Sequence, residues 1–169
     1  MVFILLTTTL ALNARFEGMI MIKDTLGATG RLTVVLLDAD GNVKHSQDIK
    51  NLVVNTGLAY IASRMKDATA TAMTHMAVGS GTSAAAAGDT ALGTQISARV
   101  ALTSTTVTSN AVAYVAAFGA GVSTGAITEA GIFNASTSGT MLCRTVFSVV
   151  NKAAADTLQI TWTITINAV

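Results

Sequence analysis

The 169-residue chain has no proline, which excludes Pro-rich linkers and polyproline recognition segments. Its one cysteine, Cys143, is too few for an internal disulfide or a cysteine-based zinc cluster. Charged residues make up 11% of the chain, less than half of the ~25% usual in soluble domains. Ten basic and nine acidic residues leave a net charge of +1, so no global electrostatic attraction to nucleic acid is expected. Aromatic residues are 5%, too sparse for a base-stacking platform.

Small and apolar residues are abundant. Hydrophobic residues reach 51% and the mean hydropathy is +0.58. Intrinsic disorder, which needs low hydrophobicity and high net charge, is excluded. At 17.2 kDa the chain has the size of one domain, burying roughly 70% of the surface its unfolded form exposes. A sparsely charged, Thr- and Ala-rich surface suits a protein packed against others.

The chain opens MVFILLTTTLAL. This resembles the apolar core of a signal peptide, yet no positive region precedes it, and Leu12-Asn13-Ala14 place a bulky residue where a small one is preferred. The run is also short of the ~20 residues that cross a bilayer. Residues 1–18 are expected to form an apolar N-terminal arm, laid either on its own domain or on a neighbouring subunit. Residues 19–169 are expected to form a single β-sandwich domain.

Arg31–Leu37 is rich in β-branched and aliphatic residues, as strands are. Turn formers follow at Asp38-Ala39-Asp40-Gly41, and Asn42–Ile49 suits the second strand of a hairpin. The DxDG string does not have calcium-loop spacing, because Gly41 comes at position 4 and Ile49 stands where position 12 needs Glu. Leu58, Ile61, Ala62 and Met65 recur at i, i+3, i+4 and i+7, one face of a helix that Asn55 or Thr56 can cap. Arg64 and Lys66 oppose the negative end of its dipole. Met73–Val78 reads as a short strand, and the glycine-rich stretch from Gly79 to Gly88 as a surface loop. No Lys follows in the manner of a phosphate-binding loop, and GSGTSA is not GxGxxG.

Further strands are expected at Arg99–Thr108, Ala111–Phe118, Ala126–Phe133 and Met141–Phe147. The chain then closes on Thr157–Ile166 (TLQITWTITI). There Leu158, Ile160, Trp162, Ile164 and Ile166 alternate with polar residues, as in a half-buried antiparallel strand. About eight strands at short spacing imply a mainly β fold: an antiparallel β-sandwich, jelly-roll-like, with one short α-helix and an extended N-terminal arm.

Convergent catalytic chemistry is scarce. His45 reads as a solvated strand residue and His75 as a partly buried one with a hydrogen-bond partner. Cys143 lies in a strand, where cysteine behaves as a small hydrophobe. No metal-ligand spacing is present. Glu129 is a charge in a strand otherwise made for burial, and such a carboxylate needs a partner. Arg144, on the facing strand of the same hairpin, is the first candidate and Arg99 the second. The expectation is a non-enzyme with no catalytic, cofactor-binding or metal site and no cofactor.

Two blocks carry a specific resemblance. Thr74–Ser104 contains Gly79, Gly81, Thr82, Asp89–Gly93 and Arg99; Gly125–Ile166 contains Ile127–Ala135 (ITEAGIFNA) and the closing strand. They resemble a family of small structural proteins of tailed bacteriophages with a "GxGT…DTALGTE…R" block and an "ITEAGIF…" block. Gln95 stands near a position where that family often has an acidic residue. Asn51–Arg64 resembles the entry to the same module. The resemblance covers most of the chain after about Arg31.

The resemblance implies a virion protein. The first reading is a capsid decoration, or cement, protein on the outer surface of the capsid, assembled in the host cytoplasm. Its partners would be the major capsid protein and itself, as a homodimer or homotrimer, with no nucleic acid, membrane or small-molecule substrate. The alternatives are a tail, baseplate or fibre-attachment component and, more remotely, a carbohydrate-binding β-sandwich, which would want exposed aromatic rings.

Overall fold

The computed structural model describes residues 26–66 and 71–168. The expected arm, residues 1–18, lies outside them. The described chain is mainly β. Its strands are β1 (Leu26–Leu37), β2 (Val43–Val53), β3 (His75–Gly79), β4 (Val100–Ala101), β5 (Ser104–Thr108), β6 (Ala111–Phe118), β7 (Gly125–Phe133), β8 (Met141–Lys152) and β9 (Thr157–Ala168), with one helix, α1 (Asn55–Lys66).

All the ladders are antiparallel. They join in the order β4-β3-β7-β8-β2-β1-β9-β6-β5. The sheet curls so that its two halves share one core: Leu32 and Val34 of β1 and Leu158, Ile160 and Trp162 of β9 pack in the same cluster as Ile127, Ile132, Cys143 and Val150 of β7 and β8. The sandwich is thus a single sheet turned on itself at β2. That strand pairs with β1 over most of its length and with β8 only through Leu52↔Arg144 and Val53↔Cys143.

The alternation read in the last strand sets its burial. Leu158, Ile160, Trp162 and Ile164 are buried in β9, each contributing roughly 1.5–3 kcal/mol. The β1–β2 turn forms where the turn residues stand. The Asp38 carboxylate accepts from the amides of Asp40 (2.9 Å) and Asn42 (2.8 Å), and Gly41 takes a φ of +85° that glycine tolerates.

The single strand expected over Arg99–Thr108 is two. β4 pairs with β3, and β5 pairs with β6 on the opposite half. The chain changes partner at Leu102-Thr103, where the Leu102 amide donates to Thr74 and the Thr103 amide to Val115. Periodicity is continuous across such a switch, so it leaves no trace in the pattern.

The helix forms where the spacing places it but has a different anchorage. The Thr56 hydroxyl donates to the Met141 carbonyl of β8 (2.9 Å) instead of capping its own first turn. Gly57 lies against Leu142, whose carbonyl occupies the place a Cβ would need. The predicted apolar face is only partly used by the core: Ile61 packs against it, whereas Leu58 and Met65 are exposed.

Candidate functional site

The most concentrated polar chemistry among the described residues lies beneath the glycine-rich loop. Gly79 and Gln95 form a bridge that closes the loop at its base, with the Ser80 amide donating to Thr94 (2.8 Å). Inside the loop sits the Glu129 carboxylate from β7, fully buried. Its Oε1 accepts from the amides of Gly81 (2.9 Å) and Thr94 (2.7 Å). Its Oε2 accepts from the Gly93 amide (2.9 Å) and Arg144 Nε (2.9 Å). Arg144 Nη2 reaches the same oxygen at 2.7 Å.

Arg144 extends the cluster. Nη1 donates to Asp89 Oδ2 (2.7 Å), and Nη2 also donates to the Ser83 carbonyl (3.1 Å). Asp89 Oδ2 accepts in addition from the Ala86 amide (2.9 Å). The Thr128 hydroxyl donates to the Gly81 carbonyl (2.8 Å), and the Asn55 amide at the start of α1 donates to Ala87 (2.8 Å). The loop is therefore pinned to β7, β8 and α1 rather than lying free on the surface.

The electrostatics follow from these contacts. Burial raises the Glu129 pKa, but the amides of Thr94, Gly93 and Gly81 and the Arg144 guanidinium outweigh it, leaving the carboxyl below its ordinary value. The Ala86 amide and Arg144 lower Asp89. Burial opposes the charge on Arg144, yet Asp89 and Glu129 hold its pKa above the ordinary value. All three groups are charged at neutral pH, and both oxygens of the buried Glu129 carboxylate are occupied by Arg144 and the loop backbone.

The glycines explain themselves in this geometry. A Cβ at Gly79 would stand 2.5 Å from Glu129 Oε1, and one at Gly81 2.8 Å from the carboxylate carbon. The loop does what a phosphate-binding loop does, presenting backbone N–H groups to an anion. The anion is the protein's own side chain.

Glu129 and Arg144 are brought together as expected, but Arg99 is not part of the pair. It donates to the carbonyls of Ala135 (2.9 Å) and Ser138 (2.6 Å) and lies over the Phe133 ring at 3.5 Å from its centroid. Asp89 was not anticipated as a partner. It is remote in sequence from both, and its place at the start of the "DTALG" block was the one signal that pointed to it.

Other candidates stand apart. Cys143 is buried in the core, where desolvation pushes its thiol well above the ordinary value, the reverse of what activates a nucleophile. His75 is half-buried and shares a 2.8 Å hydrogen bond with Thr74 Oγ1. His45 is not the solvated residue expected. It pairs with Leu36 in the β1–β2 ladder and so shares the core-facing side, with Nε2 buried and unpaired. Among the described residues no group of three His, Cys, Asp or Glu side chains has the geometry of a metal site. No described helix is long and apolar enough to cross a membrane. No described aromatic ring is exposed: Tyr60 is half-buried, and Tyr114, Phe118, Phe133, Phe147 and Trp162 are buried.

No protein-family model, curated protein or solved structure matches this chain.

Proposed function

We propose that the chain is a structural protein of a tailed-bacteriophage virion: a capsid decoration protein that binds the outside of the head and stabilises contacts between major capsid subunits. One observation carries this reading. The two sequence blocks that resemble the phage family are the two sides of one buried cluster, with Gly81, Asp89 and Gly93 on the loop and Glu129 on β7. The resemblance therefore falls on residues that share a contact and fasten a loop to a sheet. Their chemistry is spent inward, which suits a scaffold.

The remaining support is on the surface. β5 is the last strand of the sheet, and Ser104–Thr108 are all exposed. An open edge of this kind accepts a further strand. A homodimer or homotrimer formed there would have closed symmetry. Many modest contacts engaged together on a lattice multiply through effective concentration.

Immunogold electron microscopy of intact particles tests the proposal. Label spread over the head is the expected result. Label confined to the tail or its tip overturns the decoration role in favour of a tail component, and particles without label overturn the virion assignment.

A further inference from the structure

The exposed apolar face of α1 borders a groove. Its walls are Leu58, Ile61 and Met65 of the helix and Leu26, Ala28 and Ile166 from the ends of β1 and β9. Leu26 is 65% exposed, Leu58 46% and Met65 79%. The groove runs on past Leu58 into a wider depression of about 900 Å³ that reaches Ile49 and Asn51. Ile61 also touches the core, but apolar side chains such as Leu58 and Met65 left uncovered on one helix face mark a surface that something occupies.

We propose that residues Val2–Leu12 of the same chain lie in this groove. Three observations select that occupant. The segment VFILLTTTLAL is the apolar complement the walls need, with no charge to desolvate. Asn13–Thr25 tether it to Leu26, itself part of the groove wall. At about 3.3 Å per residue that tether reaches roughly 40 Å, about the length of β1, so the segment can lie at any point along the groove at high effective concentration. Finally, Asn51 in the groove wall has a carboxamide nitrogen and oxygen that are both buried and unpaired. One donor beside one acceptor matches a passing peptide group, whereas an acyl chain offers neither. This inference does not depend on where the protein assembles.

The test is a disulfide in the full chain. L5C/M65C, with Cys143 left in place because its thiol is fully buried, should cross-link under mild oxidation within a single chain, seen as a compact monomer band and a Leu5–Met65 peptide pair. L5C/V107C, which aims at the exposed edge strand β5, should not. Cross-linking no greater than this control, or only in covalent dimers, overturns the proposal; dimers would assign the groove to a second copy's segment. An independent readout is hydrogen exchange. F3D/L5D should speed exchange of the α1 amides at least about tenfold while those of β9 are unchanged, and equal α1 protection in variant and wild type would overturn the proposal as well.

Discussion

A carboxylate without solvent contact persists as an anion only where donors replace its water. Glu129 has three backbone amides and Arg144 in that role. Glu129→Ala leaves Arg144 half-paired in a buried place, and breaking such a pair costs about 3–5 kcal/mol. Thermal unfolding should show a fall in Tm on that scale, and an unchanged Tm would mean that the loop carries no stability. The carboxyls of Glu129 and Asp89 both lie below their ordinary values of 4.5 and 3.8 in the folded protein. Groups depressed in this way stabilise the fold above the unfolded values and lose that stability as pH falls through the folded ones. The urea midpoint should therefore hold steady near neutrality and drop below a pH of about 4.5, with a shallower drop in Glu129→Gln. The glycines offer a paired control. Gly81→Ala pushes a methyl into the carboxylate and should cost about 1–3 kcal/mol. At Gly88 a Cβ meets nothing within 4 Å, so Gly88→Ala should stay within about 0.5 kcal/mol of wild type. At this scale the Glu129–Arg144 pair was legible, because an isolated charge in an apolar strand faces one cation across a hairpin. Asp89 and the amide cradle were not, since a glycine-rich stretch reads the same whether its amides face a ligand, solvent or a buried side chain.

Elements were legible where one face is buried and the partner does not change. The β9 alternation places Leu158, Ile160 and Trp162 in the core, and the β1–β2 turn forms at Asp38–Gly41. The split between β4 and β5 was hidden, because tertiary pairing and not local pattern moves the chain between halves. The spacing in α1 gave the helix but not the direction of its apolar face, which depends on what β8 holds. Gly57 and Thr56 press the first turn onto Met141 and Leu142. That contact makes a prediction at the scale of the element. Gly57→Ala has no room beside the Leu142 carbonyl, so the helix start must lift from β8 at a cost of about 1–3 kcal/mol. Hydrogen exchange should show faster α1 amides with β9 unaffected; unchanged α1 protection would mean that Leu142 yields instead.

At the scale of the molecule, two halves of one sheet meet through a short β2–β8 ladder yet share a single hydrophobic core. The core, not the ladder, makes them one unit, so unfolding should be cooperative. Trp162 is the chain's one tryptophan and is fully buried within that shared core. Its fluorescence and the far-UV circular dichroism should therefore give coincident denaturation curves. Two separated transitions would show that the halves open independently. Refolding kinetics follow from the same architecture and from the composition. Strand order β8-β2-β1-β9 joins distant parts of the chain, and non-local pairing slows folding to milliseconds or seconds. The slower phases common in proteins of this size come from prolyl isomerisation over tens of seconds, and this chain has no proline. After dilution from urea, Trp162 fluorescence should recover without a phase on that longer scale, and added prolyl isomerase should change nothing. A phase of tens of seconds that lengthens on dilution of the protein would point to association as its origin; one independent of concentration would place a late step in closing the curled sheet.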